Sequence, residues 1–336
     1  MTAHSTIAVA LAALALAAVT TFAVGLARQR LLRHGIHDTP GARSSHVRPT
    51  PRGAGMVVVP LVVLAWVAGD AVDGRLAHPA IGAALALALA AVSAVDDVRG
   101  LAPGPRFAAQ IAVVALGVTL LDGGPVFQGG VPLWLDRVLA GLAWLWFVNL
   151  FNFMDGIDAL AGTETAVIAA GLVVVGLMTG WPAHAWLPAL WLIAAAAGFL
   201  VWNRPPARIF LGDSGSVGLG VLLGWLLLDA AARGQWAVAL ILPGYYWADA
   251  TLTLLRRLLR GAKIWHPHRE HAYQRAVQAG WPHGRVSALV AGTGAGLIGL
   301  AALAVAGRPW LALVLAGALV LATLARLGLA RAPEHG

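Results

Sequence analysis

What most constrains this chain is how its apolar residues are grouped: they come in long runs, each about as long as a membrane-crossing helix, separated by short polar stretches. A bilayer core asks a helix for roughly 17 to 22 such residues. Eleven runs are read, near residues 5–26, 54–69, 79–95, 107–121, 134–153, 164–180, 186–202, 215–232, 235–255, 286–306 and 309–327. With 59% hydrophobic and 11% charged residues over 336 positions, one soluble core could not cover this surface. The expectation is an all-α, polytopic membrane protein of about eleven transmembrane helices. No repeat, linker or soluble insertion interrupts the series, so residues 1–336 read as a single domain. There is no cysteine, which excludes disulfides and Cys-ligated zinc.

The basic residues orient the series. No Lys or Arg precedes the first run, which argues for a retained span with its N-terminus outside rather than a cleaved signal. On that assignment nineteen of the 23 Lys and Arg fall in inside segments, leaving only Arg75, Arg137, Arg233 and Arg308 outside. This asymmetry follows the positive-inside rule and puts the C-terminus inside. A net charge of +8 would suit a nucleic-acid binder, but the arginines are scattered between apolar runs and form no basic domain. Nucleic acid is not expected as a partner.

Five polar segments stand out, after the first, third, fifth, seventh and ninth runs. The central one runs from Asn149 to Asp158, where Asn149, Asn152, Asp155 and Asp158 interrupt an apolar helix as it leaves the bilayer. Ionisable groups at such depth are costly, and they mark functional sites by default. Spacings of three and six put Asn149, Asn152 and Asp155 along one helical face, suited to a hard cation or polar ligand, although a capped helix end reads the same way. The first segment, from Asp38 to Gly55, offers Arg43, His46 and Arg52 to an anion on a path fixed by Pro and Gly; contact with anionic lipid is its plain alternative. Asp96 and Asp97 end the third run, and Arg106 opens the fourth. Adjacent carboxylates repel, which suits a base or a cation site, and also suits a solvated pair.

The segment from Asn203 to Ser216 carries Phe210 and Asp213 among glycines, with Asp213 or Ser214 also readable as a helix cap. Asp249 lies within the ninth run, where pairing to a neighbouring helix explains it as well as catalysis does. The last segment holds His266, His268, Arg269 and His271, and the interleaved Arg favours phosphate over metal. All five segments fall on the inner side, and no outside loop has a comparable cluster. Five independent caps would not sort to one face, so a shared site is the better reading.

The ordered set is similar to the polyprenyl-phosphate N-acetylhexosamine-1-phosphate transferase family (glycosyltransferase family 4), and most like the bacterial enzymes that begin O-antigen and related surface glycans. The resemblance rests on Pro-Thr-Pro-Arg at 49–52, Asp96-Asp97, the Asn149 to Asp158 stretch, Phe210 to Ser216, and His268-Arg269 with His271. Ala54 and Ala159 stand where that family usually has Gly. The resemblance implies transfer of a sugar 1-phosphate from a UDP-N-acetylhexosamine to undecaprenyl phosphate, with Mg²⁺, or Mn²⁺ in its place. It implies Asn152 and Asp213 as metal ligands, and Asp96, Asp97 and Asp155 as catalytic carboxylates. Phe210 and Asp158 would receive the nucleotide, and Arg52, His268, Arg269 and His271 the diphosphate and sugar. Asn149, Arg43 and Arg106 are further candidates. The expected setting is the inner (plasma) membrane, multi-pass, with the active site on the cytoplasmic face and a homodimer compatible with it.

Three rivals follow from the residues, the weakest a non-catalytic scaffold, which leaves the one-sided polar set without a reason. A proton-coupled transporter also keeps carboxylates in its spans, but near the bilayer midplane. A serine protease could use Ser214 within Gly212-Asp213-Ser214-Gly215, and would leave the other segments idle.

Overall fold

A computed structural model describes residues 3–38, 49–72, 77–121, 123–263 and 268–328 of the chain. Arg43, His46 and His266 lie outside the described residues. Those described form thirteen α-helices: α1 (Ala3–Arg33), α2 (Gly55–Val72), α3 (Ala77–Arg99), α4 (Pro103–Thr119), α5 (Leu133–Met154), α6 (Leu160–Met178), α7 (Ala183–Asn203), α8 (Asp213–Ala232), α9 (Trp236–Ile241), α10 (Gly244–Leu259), α11 (Ala272–Gln278), α12 (His283–Val305) and α13 (Pro309–Gly328). A short antiparallel pair, β1 (His37–Asp38) and β2 (Thr50–Pro51), follows α1. The protein is an all-α, multi-pass membrane protein.

Seven of these helices, α1, α5, α6, α7, α8, α12 and α13, are long and apolar enough to cross a membrane. The other expected runs also coincide with helices, but α4 has only 17 residues. The ninth run is not one helix. Pro243 has no N–H to continue the α9 ladder, and the chain restarts as α10 at Gly244.

The bundle is built around α8. It packs against α2, α3, α5, α6 and α9, and 94% of its apolar window is buried. A helix that is apolar all round needs such a place. Lipid supplies no hydrophobic drive between helices, so contact depends on close fit. Glycines provide it. A Cβ at Gly224 would lie 2.3 Å from the Trp144 ring, whose Nε1 donates to the Val221 carbonyl at 3.2 Å. At the start of α2, a Cβ on Gly55 would come within 2.0 Å of the Gly215 nitrogen, so two backbones touch where α2 meets α8.

The two ends of α5 differ in kind. At its first turn Asp136 is wholly buried and accepts N–H bonds from Val126 at 3.1 Å and Phe127 at 2.7 Å, which fixes the preceding loop. Its last turn carries the polar segment.

The Gly55 contact is testable. Gly55→Ala forces backbone apart and should lower thermal stability in detergent by about 1–3 kcal/mol, as overpacking does. Gly292→Ala, inside α12 where the new methyl meets nothing within 4 Å, should instead raise it by about 0.4–1 kcal/mol. Equal melting of the Gly55 variant and the parent would remove the contact from the account.

Candidate active site

The first turn of α8 leaves backbone N–H groups without intrahelical partners. They are bonded by a side chain from another helix. Asp97, near the end of α3, accepts the Asp213 N–H at 3.1 Å on Oδ1 and the Ser214 N–H at 3.0 Å on Oδ2. An anion at a helix N-terminus also meets the positive end of the dipole. This carboxylate therefore ties α3 to α8 and fixes the direction of Asp213.

A second tie brings in the first loop. Phe210 donates its N–H to the Pro51 carbonyl at 2.8 Å, while Gly53 and Ala54 donate to the Phe210 carbonyl at 3.1 and 3.0 Å. Gly55 donates to Leu211 at 2.8 Å. Arg52 is thereby held against the α8 terminus. Its guanidinium pairs with Asp213, and its Nη2 is 3.3 Å from Asp97 Oδ1. On the other flank Arg106, from the first turn of α4, pairs with Asp96 and has Nη2 3.5 Å from Asp213 Oδ2. Asp96 also accepts the Leu101 N–H at 2.6 Å. The neighbours Asp96 and Asp97 thus serve different partners.

The Asn149 to Asp158 segment divides similarly. Asn152 Nδ2 lies 3.2 Å from Asp213 Oδ1 and donates to Ser216 Oγ at 2.8 Å. Asp155, just beyond α5, is half-buried beside the same cluster. Burial pushes its carboxyl up to about 7; Arg52 pulls against this, and the charges on Asp213 and Asp97 add to it. Asn149 is not part of the cluster. Its amide donates to Gln110 Oε1 at 2.8 Å and links α5 to α4. Asp158 faces elsewhere too, accepting the Ala207 N–H at 3.0 Å with His283 Nδ1 at 3.2 Å, while its carbonyl takes the Ser287 hydroxyl at 2.8 Å. His283 and Ser287 carry no motif in the sequence, and only their place at the start of an apolar run hints at them.

The last loop is anchored by Asp249. Its Oδ1 accepts the Ala272 N–H at 2.7 Å, and Oδ2 accepts the Tyr273 N–H at 3.4 Å and the Tyr245 hydroxyl at 3.0 Å. Asp249 is therefore a structural partner of α11, as the helix-pairing reading expects. Tyr273 then reaches the end of α5, donating its hydroxyl to the Phe153 carbonyl at 3.0 Å. Gly156 leaves room for that hydroxyl, which a Cβ would meet at 2.1 Å. His271 is buried, its ring 4.9 Å from that of His268 and stacked at 5.8 Å on Tyr273. Burial, then the positive surroundings of His271 and Arg257, bring the His268 imidazole down to about 4, so it is neutral at pH 7. Arg269 sits half-buried between them, its carbonyl held by Gln278 at 2.7 Å.

Among the described residues no three His, Cys, Asp or Glu side chains converge closely enough to hold a metal alone. The cluster instead offers Asp97, Asp155 and Asp213 against Arg52, with Asn152 beside them. Mg²⁺ usually takes one or two carboxylates and completes its shell with water and substrate phosphates, so this donor set fits it. The protease reading does not survive. Ser214 is wholly buried, and its Oγ has no hydrogen-bond partner among the described residues.

Acidic and basic side chains that meet at the ends of membrane helices suit the binding of anionic groups. Residues 79–231 match the model of glycosyl transferase family 4. The chain is 32% identical to decaprenyl-phosphate N-acetylglucosaminephosphotransferase of Mycolicibacterium smegmatis, over 84% of this chain and 78% of the relative. It is 30% identical to the probable undecaprenyl-phosphate N-acetylglucosaminyl 1-phosphate transferase of Bacillus subtilis, over 77% and 74%. A phospho-N-acetylmuramoyl-pentapeptide-transferase of Picosynechococcus sp. matches at 30% over 70% and 69%. The chain belongs to glycosyl transferase family 4, the polyprenyl-phosphate N-acetylhexosamine-1-phosphate transferases, and is a glycosyl-1-phosphate transferase.

Ala159 has a consequence of its own. It precedes α6 in the left-handed region at φ 65°, held there by its N–H bond to Asn203 Oδ1 at 2.9 Å. An L-residue in that region is strained by roughly 1–2 kcal/mol. Ala159→Gly removes the strain but frees the unfolded chain, at a cost of about 0.4–1 kcal/mol. A net gain of about 0.5–1 kcal/mol in thermal stability is expected, and a loss would contradict the strained assignment.

Proposed function

We propose that this enzyme transfers an N-acetylhexosamine 1-phosphate from a UDP-sugar to undecaprenyl phosphate, releasing UMP and starting a lipid-linked surface glycan of the O-antigen kind. The observation that supports it most is the meeting of Asp97, Asp155 and Asp213 with Arg52 and Arg106 at one end of the membrane helices. Polyprenyl phosphate and N-acetylglucosaminyl phosphate transfer in the names of two relatives support both substrate classes. The reading includes eleven spans, an outside N-terminus and an inside C-terminus, and the single domain read from the sequence. That topology sets the site at the cytoplasmic face of the inner membrane, where nucleotide sugars are available.

Two anions must meet in this reaction. Arg52 and Arg106 lessen their repulsion, and fixed charges inside a low-dielectric site do so without reorganisation. An oxygen of the lipid phosphate bonds to the sugar-bearing phosphorus of the donor. The bond from that phosphorus to the bridging oxygen breaks, and UMP leaves with it. Asp96, a carboxylate beside Arg106 with lone pairs to spare, takes the proton of the lipid phosphate. Asp97 keeps Asp213 aimed through its bonds to the α8 N-terminus. Asn152 and Asp213 would hold a magnesium ion, or manganese, which when bound offsets charge on the diphosphate oxygens. Phe210, on a backbone fixed by Pro51 and Ala54, receives the uracil ring. Asp158 orders the Ala207 backbone beside it and offers its remaining lone pairs to the base edge. Arg269, with His268 and His271, faces the diphosphate and sugar. Transfer is a single displacement, because a positioned phosphate is already a competent nucleophile.

Membranes containing the protein, given labelled UDP-N-acetylhexosamines, undecaprenyl phosphate and Mg²⁺, should move label into organic-soluble lipid, and chelation should stop it. Asp213→Asn should cut this by about 10²-fold or more while the protein remains in the membrane. Label confined to water with every UDP-sugar would sink the reading, and near-parental turnover in the variant would remove Asp213 from the site. Phe210→Ala should weaken UMP binding by roughly 1–3 kcal/mol, the usual scale of base stacking on an aromatic ring. Unchanged UMP affinity by calorimetry would exclude that role.

A further inference from the structure

Arginines crowd the same end of the bundle beyond the active site, and most of them are engaged. Arg257 and Arg260 both pair with Glu270. Arg285 lies 3.9 Å over the Trp281 ring and Arg326 lies 5.1 Å from it. Arg256, in the last turn of α10, and Arg275, on α11, are exposed and have no carboxylate partner among the described residues. Both line a cavity of about 460 Å³ between α10, α11 and α13. The rest of its wall is largely apolar, with Leu252 on α10 and Leu321 and Leu324 on α13. Leu252 and Leu321 are exposed on the outer surface of the bundle. One carboxylate lies in the wall, that of Asp249. Its oxygens are already taken by the Ala272 and Tyr273 N–H groups and by the Tyr245 and Thr253 hydroxyls, so it forms no ion pair with either arginine, and its one charge against two leaves the groove positive.

We propose that this groove binds an anionic phospholipid, with its headgroup phosphate between Arg256 and Arg275 and its acyl chains along Leu252, Leu321 and Leu324. Two guanidinium groups without an ion-pair partner, above an apolar wall at a helix end, match a phosphate joined to hydrocarbon. A soluble anion would use only half of that surface. Basic pockets between transmembrane helices are the usual place for such headgroups. The groove is separate from the carboxylate cluster, and α11 connects the two: Arg275 lines the groove, while Tyr273 of the same helix bonds the Phe153 carbonyl beside Asp155. A bound headgroup would steady α11 and, through it, the end of α5.

Native mass spectrometry of the full-length protein in detergent can test this, using phosphatidylglycerol and phosphatidylcholine of identical chains. The parent should retain phosphatidylglycerol over phosphatidylcholine. The double variant Arg256→Gln, Arg275→Gln should retain it about 25-fold less, at roughly fivefold for each arginine. Arg256→Lys with Arg275→Lys should keep most of the binding, which separates charge loss from misfolding. Arg308→Gln, at a basic residue outside the groove, should change nothing. Equal retention of the two lipids by the parent, or undiminished retention by the Gln variant, would overturn the proposal. Displacement of phosphatidylglycerol by millimolar inorganic phosphate would also overturn it, since the groove would then be a site for free phosphate.

Discussion

The bond from Asp97 to the N-terminus of α8 is the interaction on which the rest of the site depends. A buried helix needs partners for its first N–H groups, and here the first turn supplies none from its own side chains. A carboxylate from α3 supplies them at 3.1 and 3.0 Å, so the central helix cannot move along its axis without losing charged hydrogen bonds. Asp213, the first residue of that helix, thereby acquires a fixed position against Arg52 and Arg106. The same device recurs at α11, where Asp249 of α10 bonds the first two N–H groups. In both places a charge within an apolar helix is stabilised by the end of another helix. The residues it fixes lie where the membrane helices end.

Much of this could be read from sequence because polar residues are conspicuous in apolar runs. Asn152, Asp155, Asp213, Asp97 and Arg52 were separable from their surroundings by type alone, and they come together in the fold. Asn149 was drawn in by spacing and does not join them. Three residues earlier on a helix is about 60° short of a full turn and roughly 4.5 Å deeper, enough to face Gln110 on α4 instead. Asp249 could not be assigned, since a lone carboxylate in a span carries no sign of whether it meets a ligand or a helix end. The strained backbone at Ala159 is legible only through the family resemblance, which usually has Gly there; alanine by itself does not announce a left-handed position. The division of the ninth run was legible in Pro243, but a hydropathy run ignores a single proline.

Asp97, Asp155 and Asp213 gather near Arg52 and Arg106, and burial raises the Asp155 carboxyl to about 7. Two anionic substrates add further negative charge. On the proposed function, Asn152 and Asp213 would hold a divalent cation, which would offset that charge. The single measurement that tests this most directly is Mn²⁺ titration of the detergent-purified protein with UMP present, followed by electron paramagnetic resonance. One bound ion per chain, displaced by Mg²⁺ and lost in Asp213→Asn, is the predicted result. Mn²⁺ bound with unchanged stoichiometry and affinity in the variant would contradict it.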